Sequence, residues 1–256
     1  MAEVRGAMIP ETSINEFVNR LRNAAGLNLV SVILYGSAAA GDYVADHSDV
    51  NLLCVLRETS FASMQALSPA VAWWREQKRR TPLIMGTEEL RRSADVFSIE
   101  LLDMQQSHRV LWGEDVLKTL VIPTQFHRVQ LEYELREKTI LLRQGLLSAA
   151  GNSPAMWELL LRSLPAFATL FRHALQELGE PATPSKREAV QKLADRIGCD
   201  AGAFLQLLDI REHKADRKTA DVNALFGRYL KTVEQVTAAV DRMLDSAAPG
   251  GAPASR

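Results

Sequence analysis

Two short stretches carry the residue types that could do chemistry. Gly36-Ser37 follows an apolar run from Leu29 to Tyr35, and after eleven intervening residues comes Asp49-Val50-Asn51-Leu52. Glycine has no Cβ, so its backbone can come close to an anion such as phosphate. Ser37 adds a hydroxyl and an amide N–H as donors. Asp49 and Asn51 stand two residues apart, so on a strand their side chains share one face. Asn51 offers a carbonyl oxygen there without a negative charge. A third oxygen-bearing candidate is Glu100. Around it Phe97, Ile99 and Leu101 alternate with Ser98, Glu100 and Leu102, a period of two that predicts a strand over 95–102 with Glu100 on one face.

These positions need elements that hold them. Leu29 to Tyr35 and Val50 to Leu56 are short apolar runs rich in Val, Ile and Leu, which predicts two buried strands. The 14 residues between them begin as a helix turn at Ala38-Ala39-Ala40 and end as a loop. A helix start at Ala38 would add a partial positive charge to the Ser37 anion cradle. Before the first strand, Ile14, Phe17, Val18 and Leu21 recur at helical spacing. After the second, Phe61, Met64, Leu67, Val71 and Trp74 do the same within Ser60 to Lys78. The end of that helix, Arg75 to Arg80, reads R-E-Q-K-R-R. A solvated helix C-terminus explains it, because cations favour that end; a phosphate contact is the other reading. Pro82 to Met85 reads as a short strand and Glu88 to Arg92 as a short polar helix. Asp103 and Gly113 read as the caps of a helix over 104–112. From Gln125 the pattern is helical, with breaks at 151–154, 179–184, near Gly198 and at 214–221.

The motifs resemble those of a known family. Gly36-Ser37-Ala38-Ala39-Ala40-Gly41-Asp42 and Ser48-Asp49-Val50-Asn51-Leu52-Leu53 are similar to the paired motifs of the polymerase-beta-type nucleotidyltransferase superfamily. Two departures stand out: the second acid is Asn51, and Ala40 stands where members often carry Arg. Phe97 to Asp103 and His108 to Asp115 look like the third-strand region of bacterial members. Those often continue into an all-helical C-terminal domain, as in kanamycin nucleotidyltransferase-like proteins. The motif likeness covers roughly residues 30 to 116.

The resemblance implies an α+β fold, in which a nucleotidyltransferase-type mixed sheet flanked by helices is followed by an all-helical C-terminal domain. The expected domains are 1–122 and 123–245, with a disordered tail over 246–256. It implies transfer of a nucleoside monophosphate from an NTP substrate to an acceptor hydroxyl. Gly36 and Ser37 would cradle the phosphates. Asp49, Asn51 and Glu100 would be both the catalytic and the metal-holding residues, with Mg²⁺ as cofactor. Two Mg²⁺ ions clamp the attacking and leaving oxygens in such chemistry, and Mg²⁺ wants hard oxygen ligands. Replacing a carboxylate by the Asn51 amide weakens that ligand set. Two functions stay open: an enzyme that still holds at least one Mg²⁺, and a catalytically silent nucleotide-binding or protein-interaction module on the same fold.

Composition narrows the partners. The 256 residues are 47% hydrophobic with a net charge of -1, which lacks the basic footprint of a nucleic-acid binder. Cys54 lies in an apolar run and reads as a small buried hydrophobe. Two distant cysteines and five scattered histidines give neither a disulfide framework nor zinc spacing. No apolar run reaches the ~20 residues that span a bilayer, and Met1 to Arg5 has no signal-peptide character, so a cytoplasmic location is expected. No histidine follows an arginine at the five-to-seven-residue offset of toxin-type ribonucleases. Trp73-Trp74 reads as packing, His108 as structural or surface, and Arg162, Arg172 and His173 as a solvated helical face. The acceptor is unknown, Glu132, Glu134 and Glu158 being candidate bases on its side, and a homodimer stays open.

Overall fold

The computed structural model describes residues 9–41, 43–44, 48–149, 151–181, 183 and 185–247. Asp42 of the first motif, the N-terminal residues through Met8 and the tail from 248 onward lie outside the described residues. The chain divides into two compact units, Met1–Pro123 and Thr124–Arg256.

The first unit is built on a four-stranded sheet in the order β3-β2-β1-β4. Strands β1 (Leu29–Tyr35), β2 (Asn51–Leu56), β3 (Leu83–Gly86) and β4 (His108–Gly113) compose it. β1 is antiparallel to both β2 and β4, while β2 and β3 are parallel. Parallel pairing requires a crossover, which α3 (Phe61–Glu76) supplies; the short α2 (Ser37–Ala40) joins β1 to the loop before β2.

Helices cover both faces. On one, α1 (Glu11–Ala25) and α3 pack Ile14, Phe17, Leu21, Leu67 and Trp74 against Val32, Leu34, Leu52 and Cys54. Trp74 is fully buried and stacks on Phe17 with ring centroids 4.6 Å apart. Its indole N–H donates to the carbonyl of Arg80 at 2.9 Å, as a buried indole requires. On the other face, α4 (Thr87–Arg92) and α5 (Ser98–Gln106) bring Leu90, Leu101 and Met104 against Ile33, Leu53 and Val55.

The region after α4 differs from the sequence expectation. Residues 98–106 are helix, not strand, and the fourth strand is His108–Gly113, where a helix was expected. The alternation of Phe97, Ile99 and Leu101 mimicked a strand. The buried set is Ser98, Ile99, Leu101 and Met104, whose i, i+3, i+6 members form a helical stripe. Gly113 is therefore a strand end and not a helix cap. It has φ +83°, and a Cβ there would lie 2.0 Å from the Val30 carbonyl oxygen, so only glycine lets β4 approach β1 this closely.

The second unit contains α6 (His127–Ala149), α7 (Ser153–Glu177), α8 (Lys186–Ile197), α9 (Gly202–Arg211) and α10 (Val222–Ala247). α7 packs against the other four. Phe167, Phe171, Phe204 and Tyr229 form its aromatic centre. α10 runs through Ala247, so 246 and 247 are helical, not part of a tail.

Candidate functional site

The motif residues meet at the end of the sheet where β1 finishes and β2 begins. Tyr35 stands opposite Asn51 on β2 and His108 on β4, so the three form one row across the sheet. Pleat parity puts Tyr35 and Asn51 on the α5-covered face, with Ile33 and Leu53. Gly36 then turns the chain with φ +74° and ψ -151°, which residues with a Cβ rarely adopt. A Cβ on Gly36 would stand 3.2 Å from Asn51 Nδ2, so the Asn51 amide lies directly against the Gly-Ser turn. The amide N–H groups of Ala39 and Ala40 both return to the Gly36 carbonyl at 3.0 Å. The single turn of α2, four residues long, is too short for the helix-dipole contribution expected at Ala38.

Asp49 lies two residues before β2. Just before it, the Ser48 N–H donates to the Val44 carbonyl at 2.7 Å and the Ser48 Oγ accepts from the Val44 N–H at 3.0 Å. The partner of Asp49 is a cation from the chain itself: Arg80 Nη1 stands 3.4 Å from Asp49 Oδ2. Arg80 is aimed there by two constraints. The Trp74 indole holds its carbonyl, and β3, three residues on, runs parallel to β2 with Leu83 opposite Leu53. Arg79 reaches the same loop and donates from Nη1 to the Tyr43 hydroxyl at 3.3 Å. Its Nε is shut away from solvent without a hydrogen-bond partner among the described residues. Burial pushes the Tyr35 phenol up, and the nearby Arg80 charge pulls it the other way. The Arg75–Arg80 run is therefore more than a solvated helix end.

Glu100 is an exposed residue of α5. The premise that carried it toward Asp49, a strand next to β2, does not hold. None of the four strands contains an Asp or Glu. Among the described residues no group of three or more His, Cys, Asp or Glu could hold a metal ion. One exposed carboxylate facing a guanidinium, beside an amide, does not fit a Mg²⁺ pair held by converging carboxylates. Of the set implied by the sequence, Asn51 stands against the Gly36 turn and Asp49 precedes Asn51 by two residues, while Glu100 stands on a helix and not on a neighbouring strand.

Other candidates fall elsewhere. His108 is on β4, its Nε2 3.0 Å from Asp115 Oδ1 and its Nδ1 3.2 Å from the Gln105 carbonyl. Burial works to raise the Asp115 carboxyl, yet the Lys118 N–H and His108 together hold it below its ordinary value. Trp73 is a partly covered rim residue with the Arg20 guanidinium 4.5 Å from its ring centroid. Cys54 is fully buried and its thiol is pushed up to about 12, which leaves it inert. In the second unit Glu132 pairs with Arg136 and Glu134 with Lys138, while Arg162 and Glu158 are exposed.

Arg172 and His173 do not form a solvated face. Both are buried, and His173 Nδ1 lies 2.9 Å from His127 Nε2, while His127 Nδ1 lies 2.5 Å from Glu177 Oε1. Burial drives His173 down to about 3, helped by His127 and Arg172, so it is neutral near pH 7. Sequence reasoning missed this chain because its members are 46 and 50 residues apart.

Comparison with solved structures agrees with this architecture. The crystal structure of spectinomycin adenyltransferase AAD(9) from Enterococcus faecialis, with ATP and spectinomycin, aligns at a TM-score of 0.57 and 14% identity. The alignment covers 88% of this chain and 99% of that one. The fold is that of a nucleotidyltransferase. The sheet flanked by helices and the helical region that follows match the α+β architecture. No protein-family model matches the chain, and neither does any curated protein. Among the described residues no helix is long and apolar enough to cross a membrane.

Proposed function

We propose that this protein is a nucleoside-triphosphate-binding member of the nucleotidyltransferase fold whose transfer chemistry has been lost. The observation that carries the reading is the state of the motif. Gly36 turns the chain at a positive φ just before Ser37, a turn that would suit a phosphate, while Asp49 faces Arg80 and Asn51 stands in the place of the second acid. Binding and catalysis draw on different parts of such a site. Backbone turn and hydroxyl hold phosphate, whereas clamping the reacting oxygens needs charge supplied by metals. The first part is kept and the second is dismantled.

One observation favours a second reading, an enzyme that still adenylates a small-molecule hydroxyl. The likeness to a protein solved with ATP and spectinomycin runs over 88% of the chain, beyond the sheet alone. A nucleoside triphosphate and a hydroxyl-bearing acceptor are the ligands of that reading.

The two separate in one experiment. The full-length protein is incubated with α-labelled ATP, Mg²⁺ and an aminocyclitol acceptor, and bound and transferred label are counted. Binding without transferred label supports the first reading; transferred label supports the second; neither binding nor transfer overturns both.

A further inference from the structure

The motif end of the sheet is short of carboxylates and rich in cations that the sequence motif does not contain. Arg79 and Arg80 leave α3 together and reach the same loop, one at Tyr43 and the other at Asp49. The chain turns there through Lys78, which has φ +57°. Asn51, in the place of an acid, brings an amide N–H donor to the Gly36 turn. Together these residues place N–H donors, the groups that hold an anion, at this end of the sheet.

We propose that Arg79 and Arg80 take over the charge neutralisation that divalent metal performs in this fold. The site then binds the polyphosphate of a nucleotide without a metal ion. The inference rests on the nucleotide-binding reading above and names how that same site meets the charge of its ligand. A guanidinium has five N–H donors in a planar fork. Arg80 can keep one on Asp49 and turn others to a phosphate oxygen, which offsets the repulsion Asp49 would exert. Arg79 Nε is buried and without a partner among the described residues, an unmet donor whose cost would be relieved if the guanidinium turned onto a phosphate. Arginine suits this task better than lysine because its fork matches two phosphate oxygens at once.

The test titrates ATP into the full-length protein by calorimetry, in EDTA and in Mg²⁺, for the wild type and for Arg79→Gln, Arg80→Gln and Arg80→Lys. Thermal unfolding of each variant checks that it is folded. Wild-type affinity is expected to agree within about threefold between the two buffers. Each Gln variant is expected to lose about tenfold in EDTA, as removal of a charged hydrogen bond does, with R80K losing less. Inorganic tripolyphosphate in EDTA is expected to compete with ATP. Binding that requires Mg²⁺ in the wild type overturns this inference and leaves the nucleotide-binding reading standing. Gln variants that bind like the wild type in EDTA overturn it as well. Absence of binding in both buffers overturns the two together.

Discussion

Arg80 Nη1 lies 3.4 Å from Asp49 Oδ2, with the two side chains 70% and 55% exposed. An ion pair this exposed contributes at most about 1 kcal/mol to stability, so its consequence is for what else Asp49 can bind. A divalent ion at Asp49 must approach against the guanidinium. Asn51→Asp alone is therefore expected to create only weak Mn²⁺ binding. Asn51→Asp combined with Arg80→Gln is expected to bind at least about tenfold tighter than either single variant, since one charge is added and an opposing one removed. Electron paramagnetic resonance of free Mn²⁺ measures this directly; equal affinity across the three variants would show that Arg80 does not guard Asp49.

Gly36 and Gly113 both need positive φ, yet they should respond differently to alanine. At Gly36 the added Cβ meets the Asn51 amide at 3.2 Å, a side chain that can shift. At Gly113 it meets the Val30 carbonyl oxygen at 2.0 Å, within the β1–β4 pairing. Gly36→Ala is expected to cost roughly 1–2 kcal/mol and to weaken ATP binding. Gly113→Ala is expected to cost more than about 3 kcal/mol, because backbone must move. Urea unfolding of the two variants checks the order, and a reversed order would contradict the roles given to these glycines.

Glu100 provides the complementary case. It is exposed on α5 and not on a strand beside β2, so Glu100→Gln is expected to leave ATP affinity within about twofold of the wild type. A loss of tenfold or more would return Glu100 to the site.

The fates of Glu100 and Arg80 show what local pattern can and cannot carry. β1 and β2 were legible because Leu29–Tyr35, apart from Ser31, and Leu52–Leu56 are apolar, as strands buried on both faces tend to be. Gly36-Ser37 and Asp49 were legible because their spacing is a local property. The segment 97–106 was misread because apolar residues two apart also fit a helix that buries i, i+3 and i+6. The place of Arg80 depends on the parallel pairing of β3 with β2 and on the Trp74 indole holding its carbonyl. Neither contact leaves a mark in the R-E-Q-K-R-R run itself. His127, His173 and Glu177 were hidden for the same reason, since only the packing of α6 on α7 joins them.

The buried histidine pair gives the second unit a pH dependence with a definite sign. His173 has a folded-state value of about 3 against 6.5 in the unfolded chain. Its folded pKa is depressed, so its contribution is complete above pH 6.5 and is lost as pH falls toward 3. The side-chain hydrogen bond from His127 leads in holding the Glu177 carboxyl below its ordinary value of 4.5, which adds a loss of the same sign below pH 4.5. Between pH 6.5 and 4.5 stability should fall with a slope approaching about 1.4 kcal/mol per pH unit, one proton's worth. His173→Gln is expected to flatten this slope in denaturant titrations at fixed pH. An unchanged slope would mean that His173 is not the group responsible.

The central claim is that the Gly36-Ser37 turn, with Arg79 and Arg80, holds nucleotide phosphates where Asp49 and Asn51 no longer hold metal. A crystal structure of the full-length protein grown with ATP in EDTA tests it most directly. Phosphate density is expected against Gly36 and Ser37, with the Arg79 and Arg80 guanidinium groups turned onto it. An empty turn at saturating ATP, or phosphates bound elsewhere on the chain, would contradict it.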